Sequence, residues 1–529
     1  MDEKKKIEIE LNWFDRTVGF FAPNILNKRI KAKGRNDYFM KRYGKRKYEG
    51  ADAGRRTSGW NTGGLSANAE IASAGFRLRD RARDLVRNNP YAARGVQVIT
   101  NNVVGRGIKT QVKVDTRAEI SNREKKLNRI WKAWEQHCDY DGVHDFAGMQ
   151  RIIMRAVAES GEILVRIRRT GRRTVIAPDG KLVEIPPFQL QLLESDFIAS
   201  DSVGAITGVE KGNTIIEGVE LGPDGKKVAY HLHKAHPGNI SLDIASNFDT
   251  VRIPAEELLH CFRQDRPGQL RGVTFLADIM LRLRDFDLYE DAQLKRQQCA
   301  AMYAAFVHDI DGLDEDEENA EEIELGEKME PGIIELLPPG KDIKLSNPPG
   351  ADNYKEYTSV VLHSFAAGLG ISYEQLTGDL SEVNFSSARM GWLESHRNFD
   401  TWRHNIMTRQ FLNPVFSWFV QGLDLIGENT KDVRAVHTPP RREMIDPVKE
   451  TQAMKMAIRS GLKTQSEAIR ELGKDPDAQF AEYEQDNKTL DDKGLIFDSD
   501  ARRRDNGGKV NAESDIDDNS GGGGSEDDE

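Results

Sequence analysis

The chain has 529 residues, of which 38% are hydrophobic and 30% are charged, and its formal net charge is −11. A chain of this length exceeds a single simple core, so we expect several domains. No apolar run approaches the ~20 residues that a membrane helix needs. The acidic balance also argues against tight, sequence-specific DNA binding, which requires a basic face.

The N-terminal region is basic. Residues 28–56 contain twelve Lys or Arg and three Asp or Glu. The preceding start, "MDEKKKIEIELNWFDRTVGFFAP", is acidic and amphipathic and lacks the apolar core of a signal peptide. We therefore expect an intracellular or particle-borne protein whose residues 1–54 form a short helix followed by an extended arm.

Helical periodicity follows, with clear start and stop signals. Pro90 opens a helix that glycines end, and Asp145 opens another that Gly161 ends. Ser66 and Asp115 are the expected N-caps of two further helices. The helix after Asp115 carries an apolar stripe of Ile120, Leu127, Ile130, Trp131 and Trp134.

Residues 162–262 predict a β-rich module, because short alternating or apolar runs are separated by the turn sequences "GPDG" and "HPG". Its "HLHKAH" segment suggests a metal site, since His231 and His233 share a strand face and His236 follows in a turn. No further ligand cluster is near in sequence. The three cysteines, Cys138, Cys261 and Cys299, form no CxxC pattern, so buried thiols in a reducing compartment are expected. We expect no metal and no cofactor.

One long helix is predicted over Val273–His308, more than 50 Å at ~1.5 Å per residue. Its predicted buried stripe is Phe275, Leu276, Ile279, Leu283 and Phe286. The acidic segment that follows has eleven Asp or Glu and one Lys between Asp311 and Glu330. It lacks the ligand register of a calcium loop, so it is interpreted as a small irregular domain.

Asp352 is expected to open a helix that runs to about Leu369, and a glycine-punctuated polar stretch comes next. A second long helix is predicted over roughly Ser387–Val420, with an interruption at Pro414. Its expected stripe is Met390, Leu393, Phe399, Ile406 and Phe411.

A compact helical hairpin is predicted near the C-terminal end. Asp446 and Pro447 start its first helix and Gly461 ends it. Thr464 and Glu467 form a capping-box pattern for the second helix, which Gly473 ends. Residues 498–529 are rich in acids and glycine, which predicts a disordered tail.

Familiar catalytic motifs do not occur in the sequence. The chain has no G-x-S-x-G, no GxxxxGK[ST] and no H-E-x-x-H. The polar stretch after Leu369 carries Glu374, Asp379 and Glu382 without a histidine until His396. We therefore expect no enzymatic activity.

Four segments, in order, resemble the lambda-type portal proteins of tailed bacteriophages. They are "SAGFRLRDRARDLVRNNPYAARGVQVITNNVVGRGI", "RQDRPGQLRG", "GISYEQLTGDLSEVNFSSARMGWLESHRN" and "PPRREMIDPVKETQAMKMAIRSGLKTQSEAIRELGKD". The resemblance covers about residues 55–488, and it does not extend to the N-terminal arm or to the tail.

This resemblance implies an α+β fold with a wing, stem, clip and crown, assembled as a cyclic ring. The wing would comprise residues 55–271 and, as a helix and its return, 388–444. The stem would comprise helices at 272–308 and 351–370, separated by a clip at 309–350. Residues 371–387 would be a tunnel loop, and 445–497 the crown.

The implied function is that of a conduit for double-stranded DNA at the unique vertex of the capsid. The ring usually has twelve copies, and a terminase drives DNA through it without sequence preference. Capsid or scaffold protein and neck proteins would be the other partners, with no membrane involved. The protein would be made in the host cytoplasm and reside in the virion.

Two sets of site residues follow from the resemblance. The tunnel loop would present polar side chains to DNA, with glycines that let it bend: Gly370, Tyr373, Glu374, Thr377, Gly378, Asp379, Ser381, Asn384, Ser386, Ser387 and Arg389. Ser386 or Ser387 would cap the next helix. The clip would dock basic partners through its acids, including Glu317, Glu318, Glu321 and Glu322.

Alternatives remain open from the residues alone. A nuclease could use Glu374, Asp379 and Glu382 around Mg²⁺, and a monomeric adaptor would form no ring. The basic arm could contact either the capsid shell or DNA, and its place before the wing favours the shell.

Overall fold

The structure is a computed structural model, and it describes residues 31, 58, 63–114, 120–200, 206, 208–239, 249–301, 305–309, 341–345, 354–381, 384–444, 446–495 and 497. The chain divides into two compact units, Met1–Ser66 and Ala67–Glu529. The elements named here belong to the second unit. The predicted arm, most of the predicted clip and the predicted tail lie outside the described residues.

Four helices open the second unit, together with one strand. They are α1 (Ala67–Asn88), α2 (Pro90–Val103), β1 (Lys109–Val114), α3 (Ile120–Glu135) and α4 (Phe146–Ser160). The predicted signals for α2 and α4 are confirmed. Asn89 caps α2 with Pro90 behind it, and Asp145 Oδ1 accepts from the Gly148 N–H at 2.7 Å. Gly161 ends α4 with a left-handed φ of 94°.

The predicted β-rich module is confirmed as nine short strands. They are β2 (Glu162–Arg169), β3 (Arg173–Ile176), β4 (Leu182–Ile185), β5 (Phe188–Glu194), β6 (Thr214–Ile216), β7 (Val219–Leu221), β8 (Lys227–His233), β9 (Thr250–Pro254) and β10 (Leu258–Phe262). All pair antiparallel, in the sheets β10-β2-β5, β3-β4 and β6-β7-β8-β9.

The predicted helix over Val273–His308 is wrong at both ends. Helix α5 spans Met280–Ala301, about 33 Å, and residues 305–309 form a strand. The start differs because the preceding residues attach to α4: the Phe275 N–H donates to the Ala158 carbonyl at 3.1 Å. Strand β11 (Ala305–Asp309) pairs antiparallel with β12 (Lys341–Leu345), and α6 (Tyr354–Leu369) returns.

The second long helix changes its winding in the middle. It consists of α8 (Phe385–Trp402), a π-helical segment (Arg403–Leu412) and α9 (Asn413–Leu425), after the short α7 (Tyr373–Thr377). Pro414 lies at the start of α9, where it can donate no N–H to the Gln410 carbonyl. That carbonyl accepts from the Cys261 thiol at 3.7 Å. The interruption predicted at Pro414 is therefore a change from π to α winding.

The remaining elements are β13 (Val433–Thr438), α10 (Pro447–Arg459), α11 (Gln465–Glu471) and α12 (Pro476–Lys493). Strand β13 pairs antiparallel with the distant β1. Asp446 caps α10 as predicted, and Thr464 Oγ1 accepts from the Glu467 N–H at 3.1 Å at the start of α11. The third helix of this region, α12, was not predicted. No helix among the described residues is long and apolar enough to cross a membrane.

One hydrophobic core contains residues of α1–α9 and of the sheet β10-β2-β5. The stripe predicted for residues 275–286 is buried, and so are Leu127, Ile130, Trp131 and Trp134 of the stripe predicted for α3. The ring centroids of Trp131 and Trp134 lie 5.1 Å apart in a tilted arrangement, and both rings contact Phe419 of α9. The stripe on α8 is partly wrong: Phe399 and the π-segment residues are buried, but Met390 is 70% and Leu393 43% exposed.

A buried ionic cluster fixes the segment "RQDRPGQLRG". Glu162 accepts from Arg271 at 2.6 Å, from the Gly272 N–H at 2.7 Å and from His260 at 2.9 Å. The Arg271 guanidinium holds the pKa of the Glu162 carboxyl well below its usual value in spite of burial. Glu162 therefore stays charged and joins β2, β10 and the segment before α5.

Candidate nucleic-acid interface

The candidate segment runs from Gly370 to Arg389 and joins α6 to α8. Its first residue, Gly370, is held in place by two residues of α8. The Gly370 carbonyl accepts from Asn398 Nδ2 at 2.9 Å, and a Cβ there would lie 3.3 Å from the Trp402 ring. Glycine is needed because φ is +68° and the space is filled.

The next residues form the capped helix α7 rather than an open loop. Ser372 and Gln375 complete a capping box, and Gly378 ends the helix with a φ of 76°. Leu376 is buried in the core. The Tyr373 ring stacks on His363 at a centroid distance of 4.1 Å. The Ser-x-x-Gln pattern could have revealed this helix from the sequence.

The exposed part of the segment starts at Gly378. A Cβ on Gly378 would meet no atom within 4 Å. Two hydrogen bonds shape the turn around Gly378. Thr377 Oγ1 accepts from the Asp379 N–H at 3.1 Å, and Asp379 Oδ1 accepts from the Ser381 N–H at 2.9 Å. The bond from Ser381 lowers the pKa of the Asp379 carboxyl. An ionised carboxylate and a hydroxyl therefore share a solvent-facing turn.

Helix α8 begins earlier than predicted. Because it starts at Phe385, Ser386 and Ser387 lie inside its first turn and do not cap it. Asn384 occupies the position before the helix, and Arg389 is exposed. Glu382 lies outside the described residues.

Of the carboxylates of the nuclease alternative, that of Asp379 is bonded within its own turn, and Glu374 belongs to helix α7. The Glu374 carbonyl accepts from the Gly378 N–H at 2.8 Å within α7, and Asp379 is bonded to Ser381. Among the described residues, the group of side chains that could hold a metal ion is elsewhere: Glu194, Asp196 and His236.

The guanidinium of Arg83 already pairs with both carboxylates of that group. Arg83 Nη2 lies 3.0 Å from Glu194 Oε2 and 2.5 Å from Asp196 Oδ2. His236 contacts Glu194 at 3.3 Å, whereas His231 bonds Glu220 at 3.0 Å inside the module. His231 and His236 therefore have separate carboxylate partners.

The two helices on either side of the acidic segment pack together. Phe286 of α5 meets Phe365 of α6 at 5.8 Å, and Tyr289 meets Tyr357 at 4.6 Å. At their far ends β11 and β12 register Asp309 opposite Lys341. The predicted docking acids, Glu317, Glu318, Glu321 and Glu322, fall between these strands and outside the described residues.

Sequence comparisons show which known proteins the chain is similar to. A sequence profile described as phage portal protein, lambda family, matches residues 53–403. The probable portal protein of Halomonas phage phiHAP-1 is 28% identical over 79% of this chain and 81% of its own length. The portal protein of Escherichia phage N15 is 25% identical over 82% of this chain and 88% of its own length. Portal protein B of Escherichia phage lambda is 24% identical over 82% of this chain and 87% of its own length.

Solved structures also resemble the chain. The neck of a native gene transfer agent particle, computed with C12 symmetry, has a TM-score of 0.44 at 13% identity and covers 78% of this chain and 94% of its own. The neck of the empty particle, computed with C6 symmetry, has a TM-score of 0.42 at 14% identity, covering 78% and 94%.

Proposed function

The chain belongs to the lambda family of phage portal proteins, and on that premise we propose that identical copies form a ring through which double-stranded DNA enters and leaves the capsid. The ring occupies one capsid vertex, a terminase drives DNA inward, and neck proteins attach afterwards. The observation that carries this proposal is the family match over residues 53–403. Subunits that meet head to tail close such a ring through heterologous contacts.

The fold supports the proposal through α5 and α6. These packed helices end in the strand pair β11–β12 on one side and in the candidate segment on the other. We assign them to the stem, residues 309–350 to the clip and α10–α12 to the crown. Exposed Met390 and Leu393 on α8 suit contact with a neighbouring copy.

We propose that the exposed turn after Gly378 touches the passing DNA. Its hydroxyls can exchange hydrogen bonds with phosphates, while the Asp379 carboxylate repels them. A conduit benefits from this balance, because each fixed cation would add affinity to DNA and slow its movement.

The test exchanges residues 379–384 for a flexible linker and leaves Gly378, which ends α7. Ring formation by electron microscopy should be unchanged, and packaged genomes should be shorter or poorly retained. The matched control is the same exchange at the exposed turn of residues 223–226 between β7 and β8. Full-length, stably retained genomes in the 379–384 variant would contradict the assignment.

The clip proposal has a separate test. Reversing the charges of Glu317, Glu318, Glu321 and Glu322 to Lys should weaken docking of terminase or neck proteins and leave rings intact, because like charges around a ring attract a basic partner. Docking should also weaken with salt. Normal docking that does not depend on salt would refute the clip's electrostatic role.

A further inference from the structure

A second polar site lies in the proposed wing, and it shares Trp402 with the start of the candidate DNA segment. It is a cleft of about 660 Å³ between β8 and β10 on one side and the π-helical segment on the other. Pockets of this size hold whole small molecules. Its lining includes three basic side chains, Lys227, Arg263 and Arg409, and one carboxylate, that of Asp265.

The two walls of the cleft are fixed to each other. Gln410 of the π-segment accepts from the Phe262 N–H at 2.9 Å and donates to the Phe262 carbonyl at 3.0 Å, as a neighbouring strand would. π-helical turns are rare and are frequent at functional sites. Asn405 and Arg409 are four residues apart and both line the cleft.

Lys227 is a cation without a counter-ion. Its ammonium lies 5.1 Å from the centroid of the Phe262 ring, and it makes no hydrogen bond or ion pair within the described part of the chain. Burial lowers its pKa. The buried carboxylate that favours its charge, Glu162, is itself already bound by Arg271, His260 and Gly272.

The two arginines of the cleft differ in their contacts. Arg263 lies 2.8 Å from Asp265 and covers the Phe275 ring at 4.3 Å, so its charge is balanced. Arg409 is exposed and has no ion pair or hydrogen bond to any described residue. The cleft therefore has two basic side chains without an ion pair to a described residue, Lys227 and Arg409, and Asn405 lines the same cleft.

We propose that this cleft binds a phosphate group. An oxyanion with several acceptor oxygens can accept from an ammonium, a guanidinium and an amide together, and such charge-assisted bonds are the stronger ones. A metal ion would be repelled by the same cations. The cleft is larger than a single phosphate ion, so it also has room for the organic group that the phosphate esterifies. The ligand is therefore a phosphate ester, either a small molecule or a nucleic-acid strand.

The test uses the full chain, assembled as it is purified, with inorganic phosphate as the probe. Binding is followed by calorimetry and by the ³¹P line width at low salt. Lys227→Met keeps the apolar contact with Phe262 and removes the charge. Arg409→Gln changes an exposed side chain. Each should weaken phosphate binding about tenfold or more, because each removes a charged hydrogen-bond donor.

The matched control is Arg397→Gln, which removes an exposed arginine of α8 that pairs with Glu394 outside the cleft. It should leave phosphate binding unchanged. Wild-type binding no tighter than that of the Lys227→Met, Arg409→Gln double variant would overturn the proposal, as would an equal loss in the control. Circular dichroism checks the fold of each variant. If Lys227→Met fails to fold, Arg409→Gln alone decides the result, because Arg409 is exposed and its replacement should not disturb the fold.

A second arm identifies the source of the phosphate. A short DNA duplex is added to wild-type protein already saturated with inorganic phosphate. Displacement of the bound phosphate by the duplex assigns the cleft to nucleic acid. Retention of phosphate assigns it to a small phosphorylated molecule.

Discussion

Helix α4 of the proposed wing and helix α10 of the proposed crown have the same kind of N-cap but differ in how they are packed. Asp145 and Asp446 each cap their helix through a side-chain oxygen. Eight of the fifteen residues of α4 are buried, whereas α10 has no buried residue. Capping therefore decides where a helix starts, and burial decides how stable it is. The wing should be stable by itself, and the crown should depend on contacts with other chains.

The largest expected loss of stability follows from removing Glu162, the centre of the wing's ionic cluster. Glu162→Ala leaves the buried guanidinium of Arg271 without its carboxylate and should lower the free energy of unfolding by about 3–5 kcal/mol. Urea unfolding followed by tryptophan fluorescence reports it, since Trp131 and Trp134 lie in the same core. Glu394→Ala, at an exposed ion pair, is the control and should change little. Equal losses would mean that the cluster does not stabilise the wing.

A smaller effect is expected at the closest backbone approach in the wing. A Cβ on Gly272 would lie 2.2 Å from the Gly161 carbonyl oxygen, which is backbone and cannot move aside. Gly272→Ala should cost about 1–3 kcal/mol by the same urea measurement. Gly171→Ala, where a Cβ meets no atom within 4 Å, is the matched control. A stable Gly272→Ala protein would show that this packing is looser than the structure indicates.

Acid should affect the wing before the crown. Burial lowers the pKa of His437 to about 4, whereas an unfolded histidine titrates near 6.5. The unfolded state then binds the proton more readily, so stability is lost as pH falls from about 6.5 to 4, by up to ~1.4 kcal/mol per pH unit. His437→Gln should flatten this slope in pH-dependent unfolding. An unchanged slope would exclude His437 as its source.

The smallest effect compares the two caps directly. Asp145→Ala should cost about 1 kcal/mol in global unfolding of the wing. Asp446→Ala should instead accelerate amide hydrogen exchange within residues 447–459 and leave the wing's exchange unchanged, because α10 buries nothing. Faster amide exchange in the wing's helices after Asp446→Ala would contradict this prediction, because it would show that crown and wing are coupled.

Local signals in the sequence predicted much of this fold. Pro90, Asp145 with Gly161, and Asp446 with Pro447 marked helix ends that the structure confirms. The family was recognised from four short motifs. These signals succeed because caps and periodic stripes depend on neighbours within a few residues.

What the sequence did not reveal depends on distant residues. The pairing of β13 with β1 joins Val433–Thr438 to Lys109–Val114, and no local pattern specifies such a partner. The start of α5 is set by the attachment of Phe275 to α4. Within the candidate segment, no local pattern indicated that Asn398 and Trp402 of α8 would hold Gly370.

The central claim is that the exposed turn after Gly378 faces DNA in the ring. A photoreactive residue at Ser381, in DNA-filled particles, tests it most directly, with the same residue at Asp224 in the exposed β7–β8 turn of the wing as the control. The account predicts DNA crosslinks from position 381 and none from position 224. Crosslinks absent at 381, or equally strong at 224, would contradict it.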